Sequence, residues 1–433
     1  MDATIIANVR VFDGERVTDN QTVTIKGTVI SSITPAHLDV SSATIDGTGC
    51  TLLPGLIDSH VHTSVDRLRD ALRFGVTTEL EMMGYWPAER RQQIAQMDNV
   101  ADVRSAGFGL TAPNGHPTEL HEKVKPASGG PPGRGGGPAG AGPGRGGPPG
   151  HGHGGPQGHS GADTASTLGE ALAFVDKQVG GGADYIKIMI EEGSVLESPG
   201  LPVLDKSILS AAVDRAHKQH GKLTIAHTLT MDATETAVSI GIDGLAHLFI
   251  DQPHTPEIVK MISDRKIFVT PCLCLNASIM NTGRGAEFAK DDRVKSKLDQ
   301  AWLKTISGTF NTFPSGNFND NLATVKALHT AGVDILAGTD ASVPVPELGG
   351  LAHGASVHHE LQLLVGAGLT PLEALKAATS VPARRFNLND RGKIQEGMRA
   401  DLLLVKGNPA EEIGDSLNIQ AVWRRGSRLG LNE

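Results

Sequence analysis

The stretch PGLIDSHVHT at positions 54–63 decides how the rest of the chain is read. A turn pair, Pro54-Gly55, opens it. An apolar run follows and carries two imidazoles spaced two residues apart, His60 and His62. Alternate residues of a strand share one face, so both rings project to the same side. At the C-terminal end of a parallel strand, two such rings can hold a divalent metal. A lone histidine pair in a strand is more often structural than metallic, so the segments that follow must decide.

Downstream, short apolar segments alternate with amphipathic ones. GVTTELEMM, GFGLTAP, YIKIMI, LTIAHT, GLAHL, IFVTPCL and DILAGTD read as strands, DKSILSAAVDRAHKQH and NLATVKALHTAG as helices. Repeated strand–helix units predict an α/β fold with a parallel sheet and helices outside. LIDSHVH completes a set of eight candidate strands. That favours a (β/α)8 TIM barrel over 54–389 rather than an open sheet, and such a barrel needs about 250 residues. The two ends differ from the middle. TIIANVRVF, QTVTIKGTVISSI and ATIDGTGCTLLP at one end, and ADLLLVKGN and IQAVWRRGSRL at the other, alternate as half-buried strands do. Residues 1–53 and 390–433 are therefore expected to form one small composite β-sandwich domain.

Residues 127–161 break the pattern, being almost entirely Gly, Pro, Arg and His. With so few side chains to bury, they read as a flexible insertion in the barrel. A tolerated surface insertion and a mobile lid are both open readings. The chain of 433 residues carries a net charge of -9. That argues against a general nucleic-acid binder, which needs clustered Lys and Arg. Its three cysteines, Cys50, Cys272 and Cys274, form no disulfide framework and suggest a reducing compartment. No secretory signal pattern and no run of about 18 apolar residues is seen. A cytoplasmic protein without membrane contact is expected.

Further polar residues stand where strands should end: Lys187 in ADYIKIMIEEG, His227 in LTIAHT, His247 in GLAHL and Asp340 in DILAGTD. A buried charge or imidazole needs partners, and a shared metal centre would supply them. An ammonium cannot ligate a metal, so Lys187 stands out. His116, in TAPNGHPTEL, is a candidate for substrate contact against a solvated loop histidine. Tyr85 and Trp86 follow the second strand and line the pocket or pack. Glu191 and Glu192 read as a solvated surface pair, with recognition of a cationic substrate group as the alternative. His358, His359 and Glu360 read as structural residues of a helix.

With these residues in place, the sequence resembles the amidohydrolase superfamily over nearly the whole chain apart from the Gly-rich insertion. The resemblance rests on LPGLIDSHVH, GVTT at 75–78, IKIM at 186–189, the AHT and AH pairs, GTD at 338–340, GLTPLEALKAAT and the closing GKIQEGMRADLLLV. It is nearest to the prolidase-like and imidazolonepropionase-related amidohydrolases. The resemblance implies two divalent metal ions, zinc by preference. His60, His62 and Asp340 would bind one and His227 and His247 the other. Lys187, carboxylated by CO2, would bridge them, which turns an unsuitable ammonium into an anionic ligand. A hydroxide shared by the metals would attack an amide C–N bond of a dipeptide or N-acyl amino acid, with Asp340 as proton shuttle. A lactonase or esterase could use the same site. A mononuclear deaminase is disfavoured by Lys187, and a catalytically inactive scaffold by the complete ligand set. A small-molecule substrate and a homo-oligomer are the partners implied. Strand 2 departs from the family by ending ELEMMG, where many relatives carry an Arg-Asp pair.

Overall fold

The computed structural model describes residues 3–36, 44–120 and 164–430. The insertion expected at 127–161 lies outside the described residues. Five strands open the chain: β1 (Thr4–Phe12), β2 (Val17–Lys26), β3 (Val29–Pro35), β4 (Ile45–Asp46) and β5 (Cys50–Pro54). Eight follow in the middle: β6 (Leu56–Val61), β7 (Val76–Glu81), β8 (Asp102–Ser105), β9 (Gly109–Leu110), β10 (Ile186–Met189), β11 (Thr224–His227), β12 (Gly244–Ala246) and β13 (Phe268–Thr270). Near the far end lie β14 (Leu402–Lys406), β15 (Ile419–Arg424) and β16 (Ser427–Arg428).

The terminal strands join one sheet in the order β16-β15-β14-β5-β1-β2-β3, with β4 paired to β1. The seam between the two ends is the antiparallel pair β5–β14, in register from Cys50 opposite Lys406 to Pro54 opposite Leu402. Inward-facing Val9, Val23, Leu52, Leu402 and Trp423 pack into one cluster drawn from both termini. The stretch QTVTIKGTVISSI folds back on itself at Gly27, where φ is 58°, and supplies parts of two strands.

The middle strands are parallel. Every residue of β6 and β7 is buried, as expected for strands covered on both faces. β6, β7 and β8 form one sheet, and β9 to β13 form a second in sequence order. β8 and β9 lie on one run of chain, so the third strand starts at Asp102, well before the expected GFGLTAP. The segment Ile335–Ala341 touches both sheets. Leu336 N donates to Val269 O (2.8 Å) and Ser59 N to Ala337 O (2.9 Å), with bridges Val269–Ile335 and Val61–Ala341. Expected as a regular strand, DILAGTD pairs only through such single bridges. Its Gly338 lies so close to its neighbours that an added Cβ would sit 2.4 Å from the Thr270 side chain and 3.0 Å from His60 N. IFVTPCL also ends early. β13 stops at Thr270 because Pro271 has no N–H to continue the ladder, and Cys272 turns left-handed at φ 50° to start the helix Leu273–Ile279.

Helices alternate with the parallel strands, among them Leu168–Gly180, Lys206–His220 and Phe318–Thr330. The first begins with a capping box, in which Thr167 and Glu170 satisfy each other's backbone N–H groups. No helix among the described residues is long and apolar enough to cross a membrane.

A buried charge cluster fastens the C-terminal segment to the parallel strands. Asp102, at the start of β8, has no exposed side-chain surface. Its Oδ2 accepts from Arg391 Nη1 (2.6 Å), Arg399 Nη1 (3.3 Å) and Arg104 Nη1 (3.3 Å). Arg424 lies 3.9 Å from its other oxygen and also bonds Asp401. Burial alone would raise the pKa of Asp102, yet Arg391, Arg104, Arg399 and Arg424 outweigh it and hold the carboxyl well below the ordinary range. A depressed native pKa adds stability that is full above the unfolded value of about 3.9 and is lost as pH falls toward the native value. Asp102→Asn is expected to lower unfolding stability at pH 7 by roughly 3–5 kcal/mol, because it leaves only Asp390 and Asp401 to balance Arg391, Arg399 and Arg424. It should also flatten the loss of stability that the wild type shows below about pH 4. Urea melts of both proteins across pH would check this, and parallel curves would refute it.

Candidate metal centre

The polar residues at the strand ends converge. His60 lies in β6 and His62 one position beyond it. Lys187 lies in β10, and His227 ends β11. His247 follows β12, Cys272 follows β13, and Asp340 stands near the end of the Ile335–Ala341 segment. The three that turn the chain just past a strand, His247, Cys272 and Asp340, all have left-handed φ values of 72°, 50° and 60°. Such conformations are strained for residues other than glycine and gather at functional sites.

Asp340 Oδ1 lies 2.9 Å from His62 Nε2 and 3.2 Å from His60 Nε2, and Oδ2 is 4.0 Å from His247 Nε2. The rings of His60 and His247 are 4.6 Å apart by centroid, those of His227 and His247 4.8 Å, and those of His116 and His227 4.4 Å. His60, Lys187, His227 and His247 are buried, whereas the side chain of His62 is 27% exposed and that of Asp340 17%. The centre therefore opens to solvent on the His62–Asp340 side. His116 belongs to the same cluster and pairs through Nδ1 with Glu119 (2.6 Å). Tyr85, four residues past the end of β7, is 74% exposed.

Two groups of donors are spaced for a cation: His60, His62 and Asp340, and His60, His247 and Cys272. Within each, the candidate ligand atoms all lie within 4.8 Å of one another. His60 Nδ1, His247 Nδ1 and His227 Nε2 are buried with no hydrogen-bond partner among the described residues. Unpaired buried nitrogens are costly unless something binds them. Imidazole, carboxylate and thiol are donors that a divalent ion of the zinc type accepts, so these residues fit a metal.

For His60, His227 and His247 the electrostatics agree with that fit. Burial, aided by neighbouring imidazoles and Lys187, drives His227 and His247 well below the ordinary histidine pKa, and burial takes His60 to about 3. All three are thus neutral, the form with a lone pair to donate. For His62 burial works the other way from its contacts, but Asp340 and Glu81 prevail and raise it to about 9. Burial lowers Lys187 to about 8.

Sequence reasoning missed several participants. Glu81 lies beneath His62, with Oε1 3.7 Å from Nδ1, and it is anchored by Met83 N and Ser105 Oγ. Its alternation with Glu79 on β7 was the available signal. Glu191, read as a solvated residue, is buried. Its Oε1 accepts from Gly193 N (2.7 Å), and its Oε2 lies 3.4 Å from His227 Nε2. Asp58 in β6 accepts from His60 N (3.2 Å), Thr339 N (3.1 Å) and Thr339 Oγ1 (2.7 Å). It ties the first strand of the centre to the segment that carries Asp340. In the helix Ala355–Gly366, His358 bonds Phe74 O and Ser416 Oγ, His359 stacks on Phe288, and Glu360 accepts from Leu273 N and Cys274 N.

The sequence model of the amidohydrolase family matches residues 51–429, and the chain belongs to that family. Ochratoxinase from Aspergillus niger is 25% identical over 273 residues, which cover 60% of this chain and 49% of that protein. The chain thus aligns with about half the length of this curated relative. The crystal structure of a Xaa-Pro dipeptidase with bound methionine superposes with a TM-score of 0.71 at 21% identity, covering 99% of this chain and 100% of that one. The crystal structure of the A. niger ochratoxinase gives 0.68 at 20% identity, covering 99% and 95%. At these identities the likeness shows the fold.

Thr339→Val should be a sensitive probe of the Asp58 tie. It removes the 2.7 Å bond and leaves a buried carboxylate oxygen unpartnered, which costs about 1–3 kcal/mol. A drop in melting temperature with weaker zinc retention is expected. Wild-type values for both would refute the tie.

Proposed function

We propose that this protein is a metal-dependent hydrolase that cleaves the C–N bond of an amide such as a dipeptide or an N-acyl amino acid. The observation that carries this reading is the convergence of four imidazoles, a lysine and a carboxylate, with several buried nitrogens left unpaired. The family membership and the likeness to a dipeptidase support an amide as the substrate.

In this reading residues 54–389 form a (β/α)8 barrel. Two runs of parallel strands, β6–β8 and β9–β13, with Ile335–Ala341 bridging β13 to β6, support it. Residues 1–53 and 390–433 form the composite β-sandwich beside it, and their shared sheet and core support that division. Barrel enzymes place their sites at the C-terminal strand ends, where the donors stand.

Two divalent ions, zinc in this proposal, would be held by His60, His62 and Asp340 on one side and by His227 and His247 on the other. When bound, such ions lower the pKa of water and polarise a carbonyl oxygen. Lys187 supplies the bridge. With its pKa lowered to about 8, its neutral amine is far more accessible around neutrality than that of an ordinary lysine, and that amine adds to CO2. A nitrogen–carbon bond forms, one proton leaves to solvent, and an anionic carbamate results. Asp340, at the solvent-facing edge, accepts a proton from the attacking water and returns it to the departing nitrogen. His116, beside the ring of His227, contacts the carbonyl or carboxylate of the substrate.

A hydrolysis screen of dipeptides, N-acyl amino acids and lactones on zinc-loaded protein tests the substrate class. Amide turnover exceeding ester and lactone turnover is expected, and the reverse order would overturn the amide assignment. Asp340→Asn should lower kcat/KM by roughly 10²–10⁴-fold. Lys187→Ala should lose activity and bound metal, with partial rescue by short-chain carboxylic acids. Full metal content and activity in Lys187→Ala would refute the bridge.

A further inference from the structure

One side chain of the centre has no part in the ligand set above. Cys272 stands at the end of β13 with no solvent exposure. Its Sγ belongs to a group with ring nitrogens of His60 and His247 in which all separations are within 4.8 Å. Both histidines are 1% exposed, and each keeps a buried ring nitrogen without a hydrogen-bond partner. The thiol is placed there by the backbone. Pro271 stops the strand, Cys272 adopts φ 50°, and Glu360 accepts from Leu273 N and Cys274 N at 2.9 Å each. That carboxylate holds the helix start, and hence the left-handed residue before it, in place. Cys274, two residues on, faces elsewhere and bonds Ser356 O through its sulfur (3.5 Å).

A buried cysteine is usually an inert small apolar residue. Cys272 differs in being grouped with two unsatisfied imidazoles rather than surrounded wholly by hydrocarbon. Zinc–nitrogen bonds of about 2.0–2.1 Å and zinc–sulfur bonds of about 2.3 Å place tetrahedral donors about 3.3–3.6 Å apart. The three donors, all within 4.8 Å of one another, would have to close to that spacing on binding.

We propose that Cys272 is an additional metal ligand, a thiolate that joins His60 on its cation, with His247 alongside, and biases the centre toward thiophilic ions. The inference rests on the metal-centre reading above and adds a soft donor to it. On binding, the S–H bond breaks, its proton passes to solvent and a sulfur–metal bond forms, with no change of oxidation state. Thiolate favours zinc, cadmium and cobalt over magnesium and manganese. The centre should therefore retain the first group against competition by the second.

The test is optical and independent of turnover. The full chain, stripped of metal and reloaded with cobalt(II), should show a near-ultraviolet sulfur-to-cobalt charge-transfer band. The band should survive Cys50→Ser and Cys274→Ser and disappear in Cys272→Ser. Cobalt bound by elemental analysis without the band would overturn the thiolate and leave the metal centre standing, as would a band that survives Cys272→Ser. Failure to bind cobalt at all would overturn both readings. If circular dichroism finds Cys272→Ser unfolded, the double variant Cys50→Ser/Cys274→Ser decides, because Cys272 is then the sole thiol. The band must persist there, and its loss would refute the proposal.

Discussion

The carboxylate of Asp58 is buried in the middle of the parallel strands, and much of the centre depends on how it is satisfied. Taking such a group from water costs several kcal/mol, and burial together with neighbouring Glu79 raises its pKa well above the ordinary range. Three hydrogen bonds offset that cost, two of them from Thr339, 281 positions away. The bonds lock β6 against the GTD segment. Asp340 N then donates to His60 O at 2.8 Å. Donors from the first strand and the last segment of the parallel set thus meet because one carboxylate must find partners.

The two ends of these strands use charge differently. At the N-terminal end of β8, full charges meet full charges, with Asp102 and Asp401 among Arg391, Arg399 and Arg424. That cluster joins the C-terminal segment to the parallel strands and has no exposed chemistry. At the C-terminal ends, neutral imidazoles predominate and burial keeps them neutral. The carboxylates that approach them are each anchored by protein donors or by histidine, Glu81 through Met83 N and Glu191 through Gly193 N. A stabilising end and a chemical end are thus built into one set of strands, as the parallel arrangement allows.

How much of this could be read in the sequence follows from what kind of signal each residue leaves. His60, His62, His227, His247 and Asp340 each interrupt or end an apolar run, so strand alternation exposes them. Cys272 left no such mark, since a cysteine continues an apolar pattern without contrast. Glu191 was obscured by its neighbour. The pair Glu191-Glu192 looks like a hydrated surface, and only the left-handed turn at Gly193 folds one of them inward. β8 was hidden because Asp102 and Arg104 look like loop residues until their partner Arg391 arrives from 289 positions away. Gly338 owes its place to crowding by His60 and Thr270, a tertiary constraint with no local periodicity.

The seam between β5 and β14 has a consequence for how the chain can assemble. β5 sits between β1 and β14 in the finished sheet. On a ribosome β1 is available at once, but Leu402–Lys406 emerges only about 350 residues later. At ~5–20 residues per second that is a delay on the order of 20–70 s. Through that interval one flank of β5 is an open edge with unpaired N–H and C=O groups, the kind of edge that pairs with other chains. Leu52 and Leu53, buried in the finished fold, stay uncovered on that side. Nascent chains of this protein therefore carry an adhesive strand for most of their synthesis, and truncation before β14 would leave it permanently open.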